Sequence, residues 1–191
     1  MLFRSNIRIP RAQEILGEER KVHTAEHLAS AMFYLGAPRV DIPRARLFAP
    51  KIAGDRPYAV IHALASAADK AWPAERFLQI ARSLKNLEPV FIGGPNDDLS
   101  PFAEFRTVRT AALLDSMVLI QSANLFIGND SGPAHIAAAF NVPLVVLFGE
   151  SDPVIWAPWR ATAQSLVANG PMRGIAVEQV ERAIEALGVA A

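Results

Sequence analysis

The feature that most constrains the fold is a series of short, wholly apolar runs that alternate with helical patterns from Tyr58 onward. Parallel strands that are covered on both faces are apolar throughout, rather than at every second residue. We therefore predict an α/β fold, in which a mostly parallel sheet carries helices on both faces. Runs of this kind predict strands at Tyr58–His62, Pro89–Gly93, Leu125–Gly128 and Leu144–Phe148, with a weaker strand at Gln164–Ala168.

Apolar residues at helical spacing fill the intervals between these strands. They predict helices at Pro73–Leu84, Leu113–Ala123, Ala134–Phe140 and Glu178–Leu187.

Residues 1–56 follow a different pattern. An amphipathic helix is predicted at Val22–Leu35, and a connector rich in proline and arginine follows over Pro38–Pro57. Such a connector normally joins two domains, yet too little chain precedes it to form one. The sequence therefore divides into a helix and connector, residues 1–56, and one α/β domain, residues 57–191.

Composition excludes several classes of function. Nineteen basic and nineteen acidic residues give a net charge of zero, so no bulk field attracts nucleic acid. The chain has no cysteine and its four histidines lack the usual companions of a zinc site, so we predict no bound metal and no cofactor. The motifs of serine hydrolases, P-loop NTPases, dehydrogenases and zinc proteases are missing as well.

The segment from Gly128 to His135 lies between a predicted buried strand and an alanine-rich helix. Proline suits the first position of a helix, and the positive end of a helix with its free N–H groups binds phosphate. A plain helix cap between two core elements explains this segment equally well, so both interpretations stay open for the segment alone.

A second loop, His62–Pro73, also connects a predicted strand to a helix. Ser66 supplies a hydroxyl and Lys70 a mobile positive charge suited to a diphosphate, although a surface lysine needs no function. Loops that follow different parallel strands meet at one edge of the sheet. The two loops together therefore favour a nucleotide site over two unrelated caps.

Two further loops carry weaker signals. Asp97 and Asp98 follow the second predicted strand. Carboxylates there are candidates to accept hydrogen bonds from ribose hydroxyls or, more ordinarily, to cap the next helix. Trp156 and Trp159 follow a later strand, either as packing residues or as the wall of a cleft.

Four motifs occur in order along the chain: His62-x3-Ser66-x2-Asp69-Lys70-x-Trp72-Pro73, Asn129-Asp130-Ser131-Gly132-Pro133-x-His135, Val142-Pro143 and Leu147-Phe148-Gly149-x2-Asp152-Pro153. Together they resemble the carboxyl-terminal half of glycosyltransferase family 9, the lipopolysaccharide heptosyltransferases. The resemblance runs from about Pro57 to the end of the chain. Val22–Pro50 resembles the segment that leads from the family's first domain into its second.

The resemblance implies a GT-B glycosyltransferase with two Rossmann-like domains, which transfers heptose from ADP-heptose to the lipopolysaccharide core. Residues 57–191 would then be the Rossmann-like, donor-binding domain. Residues 1–56 would be the helix and connector that belong to a missing amino-terminal domain. The implied location is cytoplasmic, with at most a peripheral association with the inner face of the inner membrane.

The resemblance also implies roles for single residues. Ser66 and Lys70 would contact the diphosphate, and Asp130 would contact the heptose or the loop that frames it. Lys70 would further stabilise the charge that develops on departing ADP. The family's catalytic base lies in the amino-terminal domain, so the base is unassigned here and we expect the chain alone to bind donor but to transfer nothing. Three residues at the helix terminus would contact the phosphates: Ser131, Gly132 and His135.

Three interpretations stay open. The chain is either part of a larger glycosyltransferase or a stand-alone, non-catalytic module that binds a nucleotide sugar, alone or with a partner chain; a glycosyltransferase with another donor is a third candidate. An exposed apolar face on the helix Val22–Leu35 would favour a missing domain, and a polar face would favour the module. In the first case the acceptor would be the lipopolysaccharide core.

Overall fold

The computed structural model describes residues 7–51, 56–65 and 70–189. Within these ranges the chain forms two compact units. The first unit extends to Pro43 and also includes Val154–Trp156, and the second comprises Arg44–Pro153 and the chain from Ala157 onward.

The described part of the second unit contains a six-stranded parallel sheet. Its strands are β1 (Tyr58–His62), β2 (Glu88–Gly93), β3 (Arg106–Arg109), β4 (Leu125–Asn129), β5 (Leu144–Phe148) and β6 (Ala163–Val167). They lie in the order β3-β2-β1-β4-β5-β6, so the direction of winding reverses between β1 and β4. Such a reversal opens a crevice at the carboxyl ends of the strands. The predicted Rossmann-like α/β fold is confirmed.

Helices cover both faces of this sheet. Successive residues of a strand pack on opposite faces of the sheet. Ile61 packs in the cluster with α3 (Ala74–Ser83) and α7 (Val177–Ala186), and Val60 packs in the cluster with α4 (Leu113–Gln121) and α5 (Gly132–Phe140). No helix in the described ranges has the length and hydropathy of a membrane span. The helices of the described ranges are α1 (Ala12–Leu16), α2 (Thr24–Tyr34), α3 (Ala74–Ser83), α4 (Leu113–Gln121), α5 (Gly132–Phe140), α6 (Pro153–Trp156) and α7 (Val177–Ala186).

The strand β3 is absent from the sequence-based prediction. Its sequence, Arg-Thr-Val-Arg, contains no apolar run, because β3 lies at the edge of the sheet and pairs with β2 alone. An edge strand exposes part of its surface, so it does not need the uniformly apolar composition of a central strand.

The first unit contains α1, α2 and the last three residues of α6. The helix α2 begins with a reciprocal cap: His23 Nδ1 accepts from the Ala25 N–H at 3.0 Å, and Glu26 accepts from the His23 N–H at 3.1 Å. Thr24 Oγ1 donates to the Ile155 carbonyl at 3.0 Å. These contacts satisfy donors at the start of α2 that the helix itself leaves unpaired.

Arg44 fixes the connector to the carboxyl end of α5. Its guanidinium Nη1 donates to the carbonyls of Ala138 and Ala139 at 2.8 and 2.7 Å. Carbonyls in the last turn of a helix lack partners within the helix, and a cation there also complements the helix dipole.

We expect Arg44→Ala to lower the free energy of unfolding by about 1–2 kcal/mol, since two charge-assisted hydrogen bonds at the end of α5 are lost. Urea denaturation measures the change. Arg46→Ala removes an exposed arginine of the same connector and should stay within about 0.5 kcal/mol of the wild type. An equal loss in both variants would contradict the role given to Arg44.

Candidate functional site

Two cavities open at the carboxyl ends of the strands, on opposite sides of the reversal between β1 and β4. The first, here called the β1–β3 cavity, has a volume of about 270 Å³ and lies at the ends of β1, β2 and β3. The second, the β4–β5 cavity, has a volume of about 290 Å³ and is lined by residues that include Lys70, Asp130 and Ser151. Both cavities belong to the second unit.

The amino terminus of α5 lies between the two cavities. Pro133, in its first turn, lines the β1–β3 cavity, and Asp130, which precedes the helix, lines the β4–β5 cavity. A Cβ atom added to Gly132 would meet no atom of the described residues within 4 Å, so the space beside the helix terminus is open in this part of the structure. The positive end of the helix dipole makes this space favourable for an anion.

Asn129, the last residue of β4, connects the sheet edge to both stems of the β1–α3 loop. Its side chain is 1% exposed. Nδ2 donates to the carbonyls of Ala63 and Leu64 at 3.0 and 3.3 Å, and Oδ1 accepts from the Trp72 N–H at 3.0 Å. The amide therefore holds the two ends of the segment that carries Lys70.

Asp130 is oriented by two hydrogen bonds. Its backbone N–H donates to the Leu147 carbonyl at 2.9 Å, and its Oδ2 accepts from Ser151 Oγ at 2.7 Å. Lys70 is exposed and lines the same cavity. The β4–β5 cavity thus presents an oriented carboxylate and a mobile ammonium group to a ligand that carries both hydroxyls and negative charge.

His62, at the end of β1, contacts Ser131, the residue that directly precedes α5. Its Nδ1 lies 3.2 Å from Ser131 Oγ, and its ring also lines the β1–β3 cavity. Burial lowers the pKa of His62, and the negative charge of Asp97 opposes that shift in part. Burial therefore favours the neutral imidazole in the folded protein.

The two aspartates after β2 each accept a local backbone hydrogen bond. Asp97 Oδ2 accepts from the Gly94 N–H at 2.7 Å, and Asp98 Oδ1 accepts from the Ser100 N–H at 2.9 Å. Hydrogen bonds from Ser100 lower the pKa of Asp98. These are local bonds within the loop after β2, and the short helix that follows has Leu99 at its amino-terminal cap with no side-chain cap bond. Contact of either aspartate with a ribose stays a prediction.

The structure brings four of the predicted site residues to the centre of the sheet edge: Lys70, Asp130, Ser131 and Gly132. His135 lies one turn further along α5 and is exposed, while Ser66 lies outside the described residues. Trp156 is 47% exposed, and the guanidinium of Arg160 lies 5.5 Å from the ring centre of Trp159.

Sequence reasoning did not assign roles to Asn129, Ser151 or His62. A polar residue that closes a wholly apolar strand, as Asn129 does, is a signal that the sequence does contain. No local pattern marks Ser151, since its partner Asp130 is 21 residues away.

Comparison with known proteins gives a consistent result. The sequence profile of glycosyltransferase family 9 (heptosyltransferase) matches residues 39–181. Lipopolysaccharide heptosyltransferase 3 of Escherichia coli is 39% identical over 115 residues, which are 53% of this chain and 34% of that protein. The chain thus spans about a third of the length of the curated relatives it matches.

Two solved structures share the fold. A glycosyl transferase family 9 protein from Veillonella parvula superposes with a TM-score of 0.81 at 22% identity, over 91% of this chain and 62% of that one. An E. coli heptosyltransferase solved with ADP superposes with a TM-score of 0.68 at 19% identity, over 90% and 61% of the two chains.

We expect Asn129→Ala to lower the free energy of unfolding by about 2–4 kcal/mol, because it leaves buried backbone groups without partners. Asn124→Ala is the matched control, since that exposed side chain accepts one hydrogen bond, from the Tyr58 N–H. Asn124→Ala should lower the free energy of unfolding by about 1 kcal/mol or less. Urea denaturation compares the two variants, and similar losses would contradict the role of Asn129.

A second prediction concerns pH. The folded chain binds a proton at His62 less readily than the unfolded chain, so stability should fall as the pH drops through histidine's ordinary pKa of 6.5. Urea denaturation at about pH 7.5 and about pH 5.5 measures this slope. His62→Asn removes the titrating group and should reduce the slope, whereas an unchanged slope would show that His62 does not contribute to it.

Proposed function

The chain belongs to glycosyltransferase family 9, and we propose on that basis that its second unit binds the nucleotide-sugar donor, of the ADP-heptose type, of a lipopolysaccharide heptosyltransferase. One observation carries the proposal: two cavities at the carboxyl edge of the sheet meet at the amino terminus of α5. A nucleoside diphosphate sugar has three parts, a base with its ribose, a charged diphosphate and a sugar, and these cavities and the helix terminus offer three matching environments.

The chemistry of the lining residues supports a separate place for each part of the donor. The β1–β3 cavity has apolar walls that include Ile92 and Leu113, which suit a nucleobase. The diphosphate lies at the start of α5, against Ser131 and Gly132, with His135 one turn beyond. The sugar then enters the β4–β5 cavity. Asp97 and Asp98 stay as candidate contacts of the ribose, because their loop begins beside the first cavity.

Lys70 and Asp130 have distinct roles in this proposal. Lys70 contacts the diphosphate, together with Ser66, and stabilises the negative charge that accumulates on the departing nucleotide. Asp130 accepts a hydrogen bond from a hydroxyl of the sugar, in the orientation that its hydrogen bond from Ser151 fixes. No residue of this chain is assigned as the base that activates the acceptor hydroxyl.

The first unit supports action as part of a larger enzyme rather than as a stand-alone module. Leu28 and Met32 lie one turn apart on α2, and Leu35 caps its carboxyl end; the three residues are 65%, 57% and 53% exposed. A contiguous exposed apolar face is typical of a surface that another protein segment covers. We therefore propose that an amino-terminal, acceptor-binding domain completes the enzyme and that the chain alone transfers no heptose.

Calorimetry with ADP and ADP-heptose tests the donor site. Lys70→Ala should weaken the binding of both ligands by about tenfold, because a charge-assisted contact with the diphosphate is lost. Asp130→Asn should weaken ADP-heptose by about threefold or more and leave ADP nearly unchanged, since it contacts the sugar alone. The exposed Lys85→Ala is the control for loss of a positive charge elsewhere.

Three results would count against the proposal. Unchanged ADP binding in Lys70→Ala would refute the placement of the diphosphate. Equal effects of Asp130→Asn on ADP and ADP-heptose would refute the placement of the sugar. Heptose transfer by the chain alone would show that the base lies within it.

A further inference from the structure

Two hydroxyl groups in the β1–β3 cavity form a hydrogen-bonded chain with a backbone carbonyl. Thr110 follows β3 and is 8% exposed, and Ser116 lies half-buried on α4. Thr110 Oγ1 lies 3.2 Å from the Gly93 carbonyl oxygen and 2.6 Å from Ser116 Oγ. All three residues line the cavity.

Only one arrangement of protons satisfies both contacts. A carbonyl oxygen can only accept, so the Thr110 hydroxyl must donate its single proton to Gly93. The contact between the two hydroxyls then requires Ser116 to donate to Thr110. With its proton committed, Ser116 Oγ keeps lone pairs alone for a ligand, and it acts as a hydrogen-bond acceptor.

Few other side chains in this cavity can form a hydrogen bond with the polar edge of a base. Among the described residues that line it, polar side chains are confined to Thr110, Ser116 and His62. The hydroxyl of Thr110 is already a donor to Gly93, and Nδ1 of His62 contacts Ser131. Ser116 is therefore a side-chain acceptor that a bound base would meet in this cavity, in addition to the His62 ring.

We propose that Ser116 selects the base of the nucleotide by accepting a hydrogen bond from an exocyclic amino group, and that Thr110 holds it in the accepting state. This inference rests on the placement of the base in the β1–β3 cavity under the proposed function. A base with a carbonyl at the same position would bring two acceptors into contact, its own oxygen and Ser116 Oγ. To avoid this repulsion, Ser116 would have to donate its proton to the base. Thr110 would then have to donate to Ser116 and would lose its hydrogen bond to Gly93.

The test compares ADP with inosine diphosphate, which carries a carbonyl in place of the 6-amino group. Calorimetry on the wild-type chain should show tighter binding of ADP, by about three- to tenfold, the effect of one net hydrogen bond. Ser116→Ala removes the acceptor, and Thr110→Val frees the Ser116 hydroxyl to donate or accept. Each variant should reduce the ratio of the two dissociation constants by about threefold or more.

The matched control is Ser83→Ala, which removes a hydroxyl that bonds the Ile80 carbonyl within α3, on the opposite face of the sheet from α4. It should leave the ratio unchanged. Hypoxanthine, the base of inosine diphosphate, also differs from adenine by a proton at N1, which can change binding by itself. The change in the ratio of dissociation constants between wild type and variant is therefore the decisive quantity.

The outcomes separate this inference from the proposed function. Equal binding of both nucleotides by the wild type, or a full ratio retained in both variants, would overturn the role of Ser116 and leave the donor site intact. Absence of binding to either nucleotide would refute the donor site itself. Thermal unfolding followed by circular dichroism confirms that each variant is folded, and two independent variants keep the test decisive if one is not.

Discussion

A single buried amide underlies the geometry of the site. Asn129 ends the central strand β4, and its three hydrogen bonds hold both stems of the β1–α3 loop against the sheet edge. Buried polar groups of this kind stabilise only when every partner is present, which makes the arrangement specific. Lys70 reaches the crevice from the far stem of that loop, and Asp130 and Ser131 follow Asn129 in sequence. The stems of the loop that carries Lys70 therefore depend on this side chain.

The sequence predicted the central strands well because burial on both faces leaves a clear apolar pattern, as in Leu144–Phe148, which the structure reproduces residue for residue. It predicted the loops that carry Lys70, Asp130, Ser131 and Gly132 because a parallel sheet brings strand ends together. Ser116 was not predicted, since a serine within a helical pattern looks like a solvent-facing residue. Its importance follows from a contact with Thr110 after another strand, which only the tertiary structure creates.

The two ends of the helix α5 have different roles: the carboxyl end anchors the helix, and the amino terminus lies at the candidate site. Arg44 satisfies the carbonyls at its carboxyl end, while its amino terminus lies between the two cavities. The alanines of its buried face, including Ala134 and Ala137, let the helix lie close to the sheet. A firmly seated helix keeps its terminal dipole fixed, which is the condition for stabilising an anion without reorganisation.

The edge strand β3 has a further consequence. Its two arginines, Arg106 and Arg109, are exposed, and they stand at both ends of a strand whose outer hydrogen-bonding groups face away from β2. Another extended chain that added to this edge would have to bring its side chains beside those fixed positive charges. The same residues that conceal β3 from pattern-based prediction therefore protect the open sheet against edge-to-edge aggregation.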